Sequence, residues 1–307
     1  MATILDNYRQ ANCFYIEPFP HIIIQDCLDD QLYKNLACSF PENSKFEPEK
    51  KGENKPDWIH ADKLRNISDV WENFIAEHVS QEFFDKATEI IKPFMTSLDP
   101  NYLTNLGKEL DKCSFSLAES GRGNNPKNKR SDIVISVAAG INTPCSKSST
   151  IDLPHTDFPQ KLFNSMLYMR KEDDDSVGGD LILYETTTPF IFGSKSELSY
   201  EVDKKYIKAV KTIKYSKNVL VLFPQKVNAV HGVSARGPTP HTRRYININM
   251  ESYTLKQKVF FKSPRSSYAK CKFMLLNLIG LKHLKSFLRP AYYFFSKKIH
   301  AIINSFQ

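Results

Sequence analysis

Apolar positions along this chain follow two periods, one helical and one alternating. Between Ser68 and about Phe94 they fall at helical spacing (Val70, Phe74, Ile75, Val79, Phe83, Phe84, Ile90, Ile91), which predicts two helices. Upstream, His21 to Ile24 is a short β-rich run. It leads into a helix with Asp26 or Asp29 as its cap and Pro41 as its stop. Residues 42–60 are polar and loop-like, and SGRGNNPKNKRS (120–131) has the composition of a mobile loop. Beyond it the period becomes two. Strand-like segments follow at 132–141, 151–158, 163–169, 180–185, 206–215, 218–223, 227–233 and 243–250. Turn chemistry without helical pattern separates them, so an antiparallel sandwich or barrel is expected, and with the helices an α+β domain. The cluster RKEDDDSVGG (170–179) reads as a hairpin loop with solvated carboxylates rather than a calcium site.

Composition adds a second piece to this picture. At 307 residues and 35.3 kDa, with 41% hydrophobic and 25% charged residues, one sizeable globular domain plus an appendage is expected. The start of the chain lacks the pattern of a signal peptide, and no apolar run approaches the roughly 18–20 residues of a membrane span. Six cysteines without CxxC or His-linked zinc spacing read as reduced thiols of a cytosolic protein. The net charge of +8 is unevenly placed. After Glu251 there are eleven Lys and Arg and no acidic residue, which leaves the rest of the chain near −3. The expected division is a slightly acidic domain over 1–253 and a basic tail over 254–307.

Candidate chemistry begins with LPHTDFP (153–159). His155 and Asp157 stand at i and i+2 of a strand and share a face. A third ligand is available in NVLVLFPQKVNAVHGVSARG (218–237), where Val227, Ala229, His231 and Val233 share one face. Alone, His231 reads as a core histidine. Together with the HxD strand it completes two histidines and one carboxylate, the facial triad of non-haem Fe(II) oxygenases. In the next strand Arg244 shares a face with Ile246, Ile248 and Met250. An inward guanidinium needs an anion, either a structural Asp or a small dicarboxylate whose two ends span the metal and the arginine.

The sequence resembles the Fe(II)/2-oxoglutarate-dependent dioxygenases, particularly the branch shaped like prolyl 4-hydroxylase. The likeness runs through PFPHIII (18–24), HTD (155–157), LYM and GGDLILY (167–184), NVLVLFP, VHGV and RRYIN (218–247). It implies a double-stranded β-helix, or jelly roll, with N-terminal helices packed on it and the tail as an amphipathic helical extension. It also implies His155, Asp157 and His231 as iron ligands and catalytic centre, with Arg244 and Tyr168 on the distal carboxylate of 2-oxoglutarate. The implied cofactors are Fe(II), 2-oxoglutarate and O2, with ascorbate as a reductant, and the implied reaction is hydroxylation of an unreactive C–H. Gly178-Gly179 would form the turn into the strand beside the site. Two departures stand out. RGPTPHT (236–242) lengthens the step from His231 to the arginine, leaving Arg243 and Arg236 open as alternatives, and Thr186 to about Tyr206 looks like an inserted loop.

In the tail, Tyr292, Phe295, Ile299, Ile302, Ile303 and Phe306 form one stripe, while Lys282, Lys285 and Arg289 cluster opposite Phe273, Leu276, Leu284 and Phe287. A basic amphipathic pattern of this kind suits an anionic membrane surface; packing on the barrel or in a homo-oligomer is the other possibility. Nucleic acid is disfavoured because the tail is too apolar for a phosphate-binding arm. In addition, Met250 stands where base-repairing relatives carry a second arginine. The expectation is a cytoplasmic enzyme peripheral to the inner membrane that hydroxylates a membrane glycolipid. Similar oxygenases suggest the Kdo sugar of lipopolysaccharide. The rivals are a protein or peptide side-chain hydroxylase, a hydroxylase of a small molecule, and a non-catalytic membrane-bound module.

Overall fold

The computed structural model describes residues 2–8, 13–46, 52–98, 106–119, 131–150, 153–157, 160–187, 199–225 and 228–252. The tail over 254–307, its boundary at 253/254, and most of the 120–131 and 186–206 loops lie outside the described residues. The elements run β1 (Phe14–Tyr15), β2 (His21–Ile24), α1 (Asp30–Cys38), β3 (Pro56–His60), α2 (Ala61–Leu64), α3 (Asp69–Glu77) and α4 (Gln81–Leu98). Then come β4 (Phe115–Leu117), β5 (Ile133–Asn142), β6 (His155–Asp157), β7 (Lys161–Met169), β8 (Leu181–Thr186) and β9 (Ser199–Glu201). The last are β10 (Ile207–Ile213), β11 (Lys217–Pro224), β12 (Val230–Val233) and β13 (Arg243–Glu251).

Two sheets carry the domain. The larger is ordered β1-β2-β11-β7-β13-β5-β3, with β4 parallel to β5, and the smaller is ordered β10-β8-β12-β6-β9. Successive strands pass between them: β5 in the large sheet, β6 in the small, β7 large, β8 and β10 small, β11 large, β12 small, β13 large. That alternation is the jelly-roll winding expected from the sequence. The eight expected strand segments are β5, β6, β7, β8, β10, β11, β12 and β13.

The large sheet is covered on both sides, and strict alternation sorts its residues. Leu220, Leu222, Ile246, Ile248 and Met250 join Leu36, Trp71, Phe74, Phe83 and Phe84 in the cluster beneath the helices. Val219, Val221, Phe223, Tyr168 and Tyr245 join Leu181, Leu183 and Tyr215 of the facing side in a second cluster, the barrel interior. This is why β11 reads as apolar on both faces. Each fully buried large side chain contributes about 1.5–3 kcal/mol relative to exposure. In the helical layer His78 ties down the N-terminus: its Nε2 accepts from Ile4 N–H at 3.0 Å while Nδ1–H donates to Phe74 O at 2.7 Å.

Local details adjust the sequence expectations. Asp29, not Asp26, caps α1, accepting from Leu32 N–H at 2.9 Å, while Asp26 takes a left-handed φ of 46° in the preceding turn. The polar stretch 42–60 is not all loop: Pro56–His60 pairs with β5 from Pro56↔Asn142 to His60↔Ala138, an edge position where proline is tolerated. Residues 170–179 are not a hairpin loop, because β7 and β8 belong to different sheets and the segment crosses between them. Nor are its carboxylates uniformly solvated. Arg170 donates to the carbonyls of Asp174, Ser176 and Tyr215, and the crossing folds inward until Asp174 is 6% exposed. Of the described cysteines, Cys13, Cys27, Cys113 and Cys145 are buried, Cys38 is exposed, and all are free thiols. Among the described residues no helix is long and apolar enough to cross a membrane.

Candidate metal centre

β12 lies between β8 and β6, and its register sets His231 directly opposite His155. Asp157, two residues along β6, returns to the same face. The imidazole centroids are 4.4 Å apart, and His231 Nε2 stands 3.7 Å from Asp157 Oδ2. One donor atom from each of the three lies within 4.8 Å of the others. The three ligands expected from the sequence are therefore brought together.

Their protonation suits a cation. His155 Nδ1–H donates to Leu153 O at 2.8 Å and His231 Nδ1–H to Ala229 O at 3.0 Å. Only that tautomer can bond a carbonyl, so both Nε2 lone pairs remain available. Burial pushes His231 down to about 4, helped by His155, so its ring is neutral at ordinary pH. Burial would raise Asp157, but Lys161, with Nζ 3.4 Å from Oδ2, and the two histidines bring it to about 2. Two imidazoles and one carboxylate form the donor set of a 2-His-1-carboxylate iron site.

β6 is three residues long, and a side chain that sequence reasoning missed anchors it. Gln225, 1% exposed, donates from Nε2 to Asp157 O at 2.8 Å and to Thr156 Oγ1 at 3.1 Å, while its Oε1 accepts from Asn164 at 3.2 Å. Its only signal is a polar residue straight after LFP. On the free edge of β6, the end of the expected inserted loop returns as β9, pairing Glu201 with His155. Phe223 packs edge-on against His231 at 4.9 Å, and Phe19 packs against Phe223 at 5.6 Å, giving an apolar wall.

The arginines separate cleanly. Arg244 is corrected: the face it shares with Ile246 and Ile248 is the helix-facing one, and its guanidinium lies 4.9 Å over the ring of Phe40. Arg243 points into the barrel interior, 1% exposed, with Tyr168, Tyr215 and Tyr245 at 5.0, 5.2 and 5.2 Å from its guanidinium carbon. Its Nε donates to Gly179 O at 2.8 Å and Nη1 to Asn142 Oδ1 at 3.1 Å, and among the described residues it has no carboxylate partner. Arg236 is spent on structure, donating to Thr143 O, Asn54 Oδ1 and His241 O at 2.9, 3.2 and 2.8 Å. Tyr168 lies in the barrel interior with its ring 5.0 Å from the Arg243 guanidinium carbon. Its hydroxyl is buried beside Arg243, and burial pushes its pKa up against the opposing pull of that guanidinium. Gly178 and Gly179, at φ 82° and 76°, admit these arginines. A Cβ on Gly178 would strike the Ala235 carbonyl, and one on Gly179 would sit 3.2 Å from both Arg236 and Arg243.

No protein-family model matches the sequence, and no curated protein matches it either. Among solved structures it is similar to a prolyl 4-hydroxylase from Phytophthora capsici, at 17% identity over 84% of this chain and 68% of that one, TM-score 0.42. It is also similar to a prolyl hydroxylase from Trichoplax adhaerens solved with a hypoxia inducible factor peptide fragment, at 10% identity, 83% and 90% coverage, TM-score 0.40. A third likeness is to the epimerase SnoN in complex with Fe3+, alpha-ketoglutarate and nogalamycin RO, at 11% identity, 81% and 82% coverage, TM-score 0.40.

Proposed function

We propose that this protein is an Fe(II)- and 2-oxoglutarate-dependent oxygenase that hydroxylates an unactivated C–H bond. One observation carries it. The jelly-roll interior joins the His155/Asp157/His231 triad to Arg243, which has no carboxylate partner among the described residues, and to the buried Tyr168 hydroxyl beside that guanidinium. A buried guanidinium is costly without an anion, and a fork of two donors matches a carboxylate. Arg243 and Tyr168 would hold the distal carboxylate of 2-oxoglutarate, in place of the Arg244 pairing expected from the sequence. His155, Asp157 and His231 would hold iron through Nε2, a carboxylate oxygen and Nε2, leaving positions for the 2-oxo acid and O2. When bound, that group couples O2 to the oxidation of 2-oxoglutarate to succinate and CO2, placing one oxygen atom on the substrate as an alcohol. The chain's own share is placement: Gln225 fixes the HxD strand, and Phe223 and Phe19 keep water from one side of the site.

For the substrate we propose a membrane-associated glycolipid, with the Kdo sugar of lipopolysaccharide as its most specific form. The support is compositional: eleven cations and no acid after Glu251, interleaved with aromatic and aliphatic residues. Two measurements test the layers separately. Purified protein with Fe(II) is expected to convert 2-oxoglutarate slowly to succinate even without substrate, and no conversion with metal loaded defeats the oxygenase assignment. Mass spectrometry of glycolipids from cells expressing wild type or Asp157→Ala is expected to show one added oxygen only with the intact triad. No difference, with succinate still formed, defeats the glycolipid and redirects the search to peptides and small molecules.

A further inference from the structure

The crossing from β7 to β8 carries a second group of potential ligands outside the interior. Asp174, Asp175 and His241 each offer one donor atom, and the three atoms lie within 4.8 Å of one another. Asp175 sits on the surface with its side chain 90% exposed, and His241 is partly covered at 24%. Asp174 differs, with a side chain only 1% exposed. Its Oδ1 accepts from Ser176 N–H at 2.9 Å and faces Arg170 Nη2 at 3.8 Å, whereas its Oδ2 is buried with no hydrogen-bond partner.

A buried carboxylate oxygen left without a donor is costly, so it points to a missing partner. Arg170 does not supply one, since its close hydrogen bonds go to the carbonyls of Asp174, Ser176 and Tyr215. His241 Nε2 stands 3.5 Å from Asp175 Oδ1, beyond a good hydrogen bond. Donors bound tetrahedrally at about 2.0–2.2 Å from a zinc ion stand roughly 3.3 Å apart, so this pair is already near ligand spacing. The sequence around it, Glu172-Asp173-Asp174-Asp175 against Arg170 and Lys171, favours a cation.

We propose that Asp174, Asp175 and His241 bind a divalent first-row metal of the zinc class, separate from the iron triad. One imidazole nitrogen with two carboxylates selects such an ion over calcium or magnesium, which prefer all-oxygen shells. Its place in the fold gives it a structural role. Asp174 and Asp175 lie on the crossing that ends at Gly179, whose carbonyl receives Arg243 Nε at 2.8 Å, and His241 lies two residues before Arg243. The two segments already meet through Gly237 N–H to Val177 O at 2.9 Å. A shared metal would pin them together and hold Arg243 from both sides.

The test is zinc titration of the full chain after removal of metal, in an Asp157→Ala background that disables the iron triad. Calorimetry and elemental analysis are expected to find one zinc per chain in that background, with a raised melting temperature. Adding His241→Ala is expected to abolish that binding, and adding Asp175→Asn to weaken it about 100-fold; both side chains reach the surface, so the fold should persist by circular dichroism. Absence of zinc binding in the Asp157→Ala parent overturns the proposal. So does zinc binding that His241→Ala and Asp175→Asn leave unchanged, which would place the ion elsewhere. The iron triad is tested independently, by comparing wild type with Asp157→Ala.

Discussion

The two faces of the large sheet differ in what they can tolerate. Its helix-facing side is almost wholly apolar, Leu220, Leu222, Ile246 and Ile248 locked against Trp71, Phe74 and Phe83. Its interior side mixes Tyr168, Tyr245 and Val221 with the buried Arg243, opposite a strand that carries His231. The larger apolar cluster lies in the first layer, and the candidate metal ligands and buried polar side chains lie in the second. Adjacent residues of one strand, Arg243 and Arg244, fall on opposite sides of that division.

The sharpest way to break the comparison is a pair of substitutions, one on each side. Asp157→Ala should abolish iron binding and 2-oxoglutarate turnover while leaving the thermal midpoint nearly unmoved. Phe74→Ala, at a fully buried site, should cost about 3–5 kcal/mol of unfolding free energy and leave iron affinity intact. Calorimetric iron titration and urea unfolding read both. If Asp157→Ala unfolds the protein, the separation fails.

A pH experiment probes the helix-facing side through one substitution, since His231 in the interior is pushed down to about 4 as well and only the difference between two proteins isolates His78. His78 is fully buried, and burial pushes it down from 6.5 to about 4. Between those values the unfolded chain takes up a proton that the folded one refuses. Its contribution is therefore complete above pH 6.5 and is lost as pH falls towards 4, by roughly 3 kcal/mol in all. Urea unfolding at neutral pH and near pH 5 should show wild type losing more stability than His78→Gln. Equal losses would mean that His78 is not the sensor.

The arginine pair sharpens the comparison within a single strand. Arg243→Met should raise the KM for 2-oxoglutarate about 100-fold, close to 3 kcal/mol. Arg244→Met should change it less than about threefold, since its guanidinium rests on Phe40. The reverse order in steady-state kinetics would return the role to Arg244.

That pair also shows where sequence reasoning stopped. The alternation of Arg244 with Ile246, Ile248 and Met250 is correct, but parity reports only that residues share a face, not which layer that face meets. With apolar layers on both sides of the sheet, the greasier face belonged to the helices and the site lay behind the more polar one. His155 and Asp157 were legible because HxD spacing sets two donors on one face, and His231 because it interrupts an apolar face. Gln225 was not, because it acts through hydrogen bonds to the backbone of a distant strand. Pro56–His60 was hidden by its brevity and leading proline, and Asp174 by neighbours that look like a solvated turn.

β6 is three residues long and meets β12 through a single paired position, His231 with His155, and the equally short β9 through three, whereas β5 runs for ten residues, paired along both edges and buried throughout. In hydrogen–deuterium exchange, the amides of His155 to Asp157 should open locally and exchange well before those of β5. A metal clipped between His231 and β6 would slow that opening, so the exchange rate of three residues would report loading without recourse to any substrate.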